Sequence, residues 1–193
     1  QIKLAVLRDS SEYIRYAIGN VGSSALFGGM IALLVLLFFL RSLGSTAVIA
    51  VSIPLSIIAT FALIYFSRFT LNMMSLGGLA LGVGMLVDNS VVVLENIYRL
   101  REAGEEPHEA AVKGSLEVTS AVVASTLTTL VVFLPLIFLS GMAGILYKQL
   151  ALVVSFALVC SLLAALTLVP MLSARLVRIA GDGPSGLAAA GEF

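Results

Sequence analysis

Five apolar segments constrain the fold of this chain more than any other feature. They run over about 23–40, 45–66, 71–97, 117–139 and 146–174. An α-helix of roughly 20 apolar residues crosses the hydrocarbon core of a bilayer. Backbone groups in lipid have no water to bond, so segments of this length span as helices. The expected fold is all-α, a polytopic membrane helix bundle with five transmembrane helices. Composition agrees: the 193 residues are 60% hydrophobic and 11% charged, where a soluble domain carries about 25% charged residues. Mean hydropathy is +1.10.

The same composition removes several function classes. Formal net charge is zero, so no basic field points to nucleic acid. Cys160, the single cysteine, sits in an apolar run and reads as a small core residue. His108, the single histidine, lies in a charged connection. No His/Cys/Asp/Glu trio has metal-ligand spacing, and Met73 and Met74 read as packing residues. The Ser-rich spans contain no nucleophile–base–orienter set, so neither an enzyme nor a cofactor is expected.

Along the chain, QIKLAVLR at 1–8 reads as an extended connector. Asp9, Ser10 and Ser11 offer helix caps, and Ile14, Ala17, Ile18 and Val21 recur at helical spacing. Residues 1–22 are thus expected to end in an amphipathic interfacial helix. Residues 23–178 form the bundle, and 179–193 a flexible Gly/Ala-rich tail. Pro54, Pro135 and Pro170 fall inside spans as kinks. The connections at 41–45 and 67–70 are short. The one at about 98–116 is long and charged, with a short helix beginning at Pro107. SGMAG at 140–144 reads as a glycine turn. The first residue is not methionine and no signal peptide is visible, so a fragment of a longer protein is expected.

Arg41, Arg99, Arg101, Lys113, Arg175 and Arg178 fall on one side; Arg68 and Lys148, with Lys3, Arg8 and Arg15 of the leading segment, fall on the other. Basic loops stay in the cytoplasm. That places the N-terminus outside and the C-terminus inside.

The third segment holds the chemistry. GGLALGVGMLVDNSVVVLENIYR at 77–99 carries Asp88 near its middle and Glu95 seven residues later, on nearly the same helical face. A charge at mid-bilayer costs about 2.5–3.5 kcal/mol on insertion scales. Burial favours the neutral form of a carboxylic acid, and a nearby cation favours the charged form. A group balanced between the two can load and release a proton. A carboxyl that only pins helices together fits the same residues. No basic residue in the five spans can partner Asp88, so a partner must come from elsewhere. Asn89 and Asn96 stand beside the two acids as hydrogen-bonding groups. Gly78 and Gly82 form a small-xxx-small pair for close helix packing, with Gly77 and Gly84 nearby. The next segment adds a hydroxyl patch that includes Thr126 and Thr129. GGLALGVG has no strand before it and reads as packing rather than a phosphate loop.

PLSIIATFALIYFSRFTLNMMSLGGLALGVGMLVDNSVVVLENIYR resembles the second to fourth transmembrane helices of resistance–nodulation–division efflux permeases. ASTLTTLVVFLPLIFLSGMAGILYKQLALVVSFALVCSLLAALTLVPMLSARL resembles their fifth and sixth. The likeness covers roughly residues 10–178, and VDNSVVVLENIYR is its most specific part. It implies helices two to six of the first half of a bacterial inner-membrane proton antiporter. Such proteins have twelve helices in two halves and periplasmic porter domains. They are usually homotrimers and act with a periplasmic adaptor and an outer-membrane channel. It places Asp88 on the family's proton-relay aspartate, with protons as the coupling ion. Many drug exporters carry two adjacent aspartates there; Asn89 replaces the second, so the resemblance leaves a two-proton stoichiometry open. Glu95, Asn96, Thr126 and Thr129 are candidate supports. A related sterol-sensing or lipid-interaction module, or a lipid or polypeptide exporter, are the alternatives.

Overall fold

A computed structural model describes residues 42–70 and 72–177, with scattered positions between 15 and 38. Among the described residues four helices are long and apolar enough to cross a membrane: α1 (Leu43–Phe66), α2 (Met73–Glu102), α3 (Pro107–Ile137) and α4 (Gly141–Leu176). No strand occurs among the described residues. The chain is an all-α polytopic membrane bundle. The expected first span, about 23–40, is described only at scattered positions, which are helical. The same holds for the amphipathic helix at 1–22, and the tail at 179–193 lies wholly outside them.

Ser42 caps α1 by accepting from the Ser45 backbone N–H at 3.3 Å. The buried face of α1 is Ser45, Val48, Ile49, Ser52, Ser56, Thr60 and Ile64, while Leu55, Ile58 and Phe61 are exposed. This inverts the soluble pattern for a physical reason. Lipid tails are as apolar as Leu, so helix contacts select small and hydroxyl-bearing residues that let backbones approach. The hydroxyls stay satisfied within their own helix: Ser52 Oγ donates to the Val48 carbonyl at 2.8 Å and Thr60 Oγ1 to the Ser56 carbonyl at 2.8 Å. Pro54, Pro135 and Pro170 all lie inside helices.

Two matching motifs end α1 and α2. After α1, the Arg68 N–H reaches the Tyr65 carbonyl at 3.1 Å and the Phe69 N–H the Ile64 carbonyl at 3.2 Å. After α2, the Gly104 N–H reaches Arg101 at 3.0 Å and the Glu105 N–H reaches Leu100 at 3.2 Å. Both are Schellman caps with a left-handed residue, at φ +55° for Arg68 and +95° for Gly104. Glycine takes that conformation without a Cβ clash; Arg68 is the uncommon choice.

Two expectations about connections are corrected. The charged stretch at 98–116 is not a long loop with a short separate helix. α2 runs on to Glu102, only residues 103–106 connect, and Pro107 is the first residue of the unbroken helix α3. Charged residues do not stop a helix; they mark where it leaves the apolar layer. SGMAG at 140–144 is likewise not a turn, because α4 begins at Gly141.

α4 packs against all three other helices. Its long buried face includes Ala151, Val154, Ala157, Ser161, Ala165 and Val169. One core cluster joins Val48 and Ile49 to Val93, Leu94, Ile97, Val122, Ala165 and Val169. A smaller one at the other end joins Ile64, Leu79 and Val153, beside the rings of Phe69 and Phe156, 6.2 Å apart. Gly44 lies so close to the Leu176 carbonyl that no Cβ fits there. The α1 start and the α4 end therefore share one end of the bundle with the 103–106 connection. Arg99, Arg101, Lys113 and Arg175 gather at that end.

Candidate functional site

α2 positions the site, and both its ends are fixed by side chains. At its start Asn72 Oδ1 accepts from the Met74 and Ser75 backbone N–H groups at 2.9 Å each, and Ser75 Oγ accepts from the Asn72 N–H at 2.8 Å. This is a capping box built with Asn and Ser. The Asn72 amide also donates to Gln149 Oε1 on α4. Gln149 was not singled out from the sequence, because nothing in its surroundings separates it from an ordinary interfacial residue.

At the other end Asn96 Nδ2 donates to the Gly114 carbonyl at 2.8 Å and to Glu117 Oε2 at 3.0 Å, both on α3. Arg99 Nη2 bonds Asn96 Oδ1 at 2.7 Å and Glu117 Oε2 at 3.1 Å. Asn96 thus joins α2 to α3 and does not reach Glu95. A Cβ at Gly114 would lie 3.0 Å from Ile97 Cα, so this glycine sets the α2–α3 approach. A glycine inside a charged helical stretch was the available signal for it. The Arg99 and Glu117 side chains are 67% and 42% exposed, and exposed ion pairs contribute about 0–1 kcal/mol. Glu117→Gln is expected to leave thermal stability nearly unchanged. Asn96→Ala, which removes the bond to a backbone carbonyl, is expected to cost about 1 kcal/mol. Thermal unfolding of the full-length protein in detergent checks both.

Between these ends, three faces of α2 differ. Gly78 and Gly82 face α4: a Cβ at Gly78 would lie 2.9 Å from the Leu150 carbonyl oxygen, and one at Gly82 2.6 Å from Ala157 Cβ. Asn89 faces α3. Its Nδ2 donates to Thr126 Oγ1 at 3.1 Å, and both residues are buried. Thr126 Oγ1 in turn donates to the Val122 carbonyl at 2.8 Å. The third face carries Gly77, Leu81, Gly84, Asp88, Val92 and Glu95, all exposed on this segment. Cβ atoms at Gly77 or Gly84 would meet nothing within 4 Å.

Asp88 is therefore near the middle of α2, about 22 Å from its start at 1.5 Å per residue, and turned away from every described helix. Glu95 shares its face but lies two turns nearer the charged end. Thr129 is not brought to Asp88; its hydroxyl bonds the Ser125 carbonyl at 3.0 Å. No group of three or more potential metal ligands occurs among the described residues.

An acid at mid-helix thus stands on a face of α2 that the described helices leave open, opposite two tightly packed ones. The chain belongs to the AcrB/AcrD/AcrF family, the resistance–nodulation–division efflux permeases: that family's model matches residues 1–190. It is 42% identical over 178 residues to the multidrug resistance protein MdtC of Pectobacterium atrosepticum, covering 92% of this chain and 17% of that protein. It is 41% identical over 171 residues to MdtC of Escherichia coli, covering 89% and 17%. With MdtC of Yersinia pestis the identity is 40% over 177 residues, covering 92% and 17%. The chain spans 17% of the length of each of these relatives.

Proposed function

We propose that this chain is the helix-two-to-six segment of the first half of a proton-driven multidrug efflux transporter, and that Asp88 is its proton-relay carboxylate. The observation that carries the reading is the place of Asp88: mid-helix in an apolar span, on the one α2 face that no described helix covers. Facing hydrocarbon it would cost about 2.5–3.5 kcal/mol. Facing a second half of the transporter, it meets a polar or basic partner there. Proton binding then favours one of two arrangements of the halves, and the difference in affinity drives the cycle. The substrate class, multidrug, comes from the names of the relatives.

The same reading puts the protein in a bacterial inner membrane, with the Arg99–Lys113 end in the cytoplasm because basic loops remain there. It also makes the working unit a homotrimer with a periplasmic adaptor and an outer-membrane channel. With Asn89 in the adjacent position, the relay holds one acid.

Difference infrared spectroscopy on the full-length transporter, with Asp88→Asn to identify the band, tests the reading. The Asp88 carboxyl is expected to change protonation between about pH 5 and 9, the window in which a coupling group operates. A carboxyl that keeps one state across that window makes Asp88 structural.

A further inference from the structure

We infer that Thr126 is a positioning residue for Asp88: its hydroxyl holds Asn89 in the α2–α3 seam and thereby fixes the rotation of α2 that turns Asp88 to the open face. The inference rests on the relay reading for its functional meaning, and on geometry for its substance.

A threonine hydroxyl has one proton. In Thr126 that proton goes to the Val122 carbonyl at 2.8 Å. The oxygen is left as an acceptor, and Asn89 Nδ2 supplies the donor at 3.1 Å. The direction of the bond between the helices is thus set by the rest of the network. An ionised carboxylate at position 89 would have no proton to offer this hydroxyl; an amide does. Asn89 and Thr126 are 8% and 2% exposed, so water does not substitute for either partner. A buried donor left without an acceptor costs about 1–3 kcal/mol, which gives the seam a defined register rather than a sliding apolar contact.

Consecutive helical residues are about 100° apart. With Asn89 held toward α3 and Gly82 against Ala157 of α4, α2 has little freedom to turn about its axis. Asp88 is the neighbour whose direction this fixes. Thr128 and Thr129 donate to the Ala124 and Ser125 carbonyls of their own helix as Thr126 does to Val122, but among the described residues neither accepts a bond from α2.

The charged groups of the packed helices stand away from Asp88 along the bundle. On α3 these are His108, Glu109, Lys113 and Glu117; Glu117 is nine residues before Thr126, roughly 13 Å along the axis. On α4 they are Tyr147, Lys148 and Arg175, and on α1 Tyr65 at its end; Cys160 of α4 lies nearer the level of Asp88, as a buried thiol. On α2 itself Glu95, Tyr98, Arg99, Arg101 and Glu102 all follow toward the charged end. A change at Thr126 therefore reaches Asp88 through the rotation of α2 and not through a neighbouring charge.

The test uses the full-length transporter and protons alone as ligand. The Asp88 infrared band is identified by difference against Asp88→Asn, and both its frequency and its pH midpoint are read. Thr126→Val, which keeps the shape and removes the hydroxyl, is expected to move the frequency and to shift the midpoint by at least about half a pH unit, a threefold change in proton affinity. Thr126→Ser, which keeps the hydroxyl, is expected to restore wild-type values, and Thr128→Val to leave them unchanged. If Thr126→Val does not fold, Thr126→Ala gives the same reading with less steric change. An Asp88 band unmoved by loss of the Thr126 hydroxyl overturns the inference. A band that never titrates in the unmutated protein overturns the relay reading instead, and the frequency still reports whether Thr126 sets the surroundings of Asp88.

Discussion

Asp88→Asn in the full-length transporter is expected to abolish active efflux while leaving the protein in the membrane at its normal level. The amide has the shape of the carboxylic acid and carries no charge, so insertion becomes no more costly. What it cannot do is gain and lose a proton. Moving one charge through a potential of about 100 mV supplies roughly 2.3 kcal/mol, enough to sustain about a 50-fold concentration gradient. On the proposed relay reading, loss of Asp88 removes that drive, so drug accumulation should rise to the level seen without the transporter. Asp88→Glu keeps the acid and lengthens the side chain; partial activity is its expected result. Efflux at the unmutated rate in Asp88→Asn, with drug accumulation measured alongside membrane abundance, places the coupling group elsewhere.

The sequence was legible where one residue type has one physical consequence. Apolar length identified the spans, because lipid accepts little besides closed helices. Pro107 marked the start of α3, since proline fits the first helical position. The charge-rich stretch around it misled for a related reason: polarity marks the membrane boundary, and the helix continues through it because neither Glu nor Lys opposes helical backbone. The small-xxx-small spacing marked Gly78 and Gly82 as a packing face, and α4 is the helix that lies against them. Gly44 and Gly114 were harder to read. Neither stands out in the sequence, yet both mark places where two backbones nearly touch. Asp88 and Asn89 stood together in the sequence as one polar pair. The helix itself turns them about 100° apart; which of the two faces meets α3 shows in the bond from Asn89 to Thr126, a contact between residues 37 apart. No local pattern encodes that distance.

The α2–α4 contact supplies the second large effect. A methyl at position 82 would sit 2.6 Å from Ala157 Cβ, where carbon atoms settle at about 3.5–4.0 Å. Ala157 is fully buried and has no rotamer through which to retreat, so the helices themselves must separate. Gly82→Ala is therefore expected to cost about 1–3 kcal/mol, the usual range for overpacking, although alanine is the better helix former by roughly 1 kcal/mol. The sign is the informative part, since propensity and packing oppose each other here. If the clash is with the Ala157 methyl, moving that methyl across the interface should relieve it. The double variant Gly82→Ala with Ala157→Gly is then expected to recover at least half of the loss, although Ala157→Gly alone opens a small gap and is itself destabilising. Thermal unfolding of the four purified full-length proteins completes the cycle, and the two changes should be strongly non-additive, as directly touching residues are. Simple additivity would mean that Gly82 and Ala157 do not meet, and α2 would then lose one of the contacts that set its rotation.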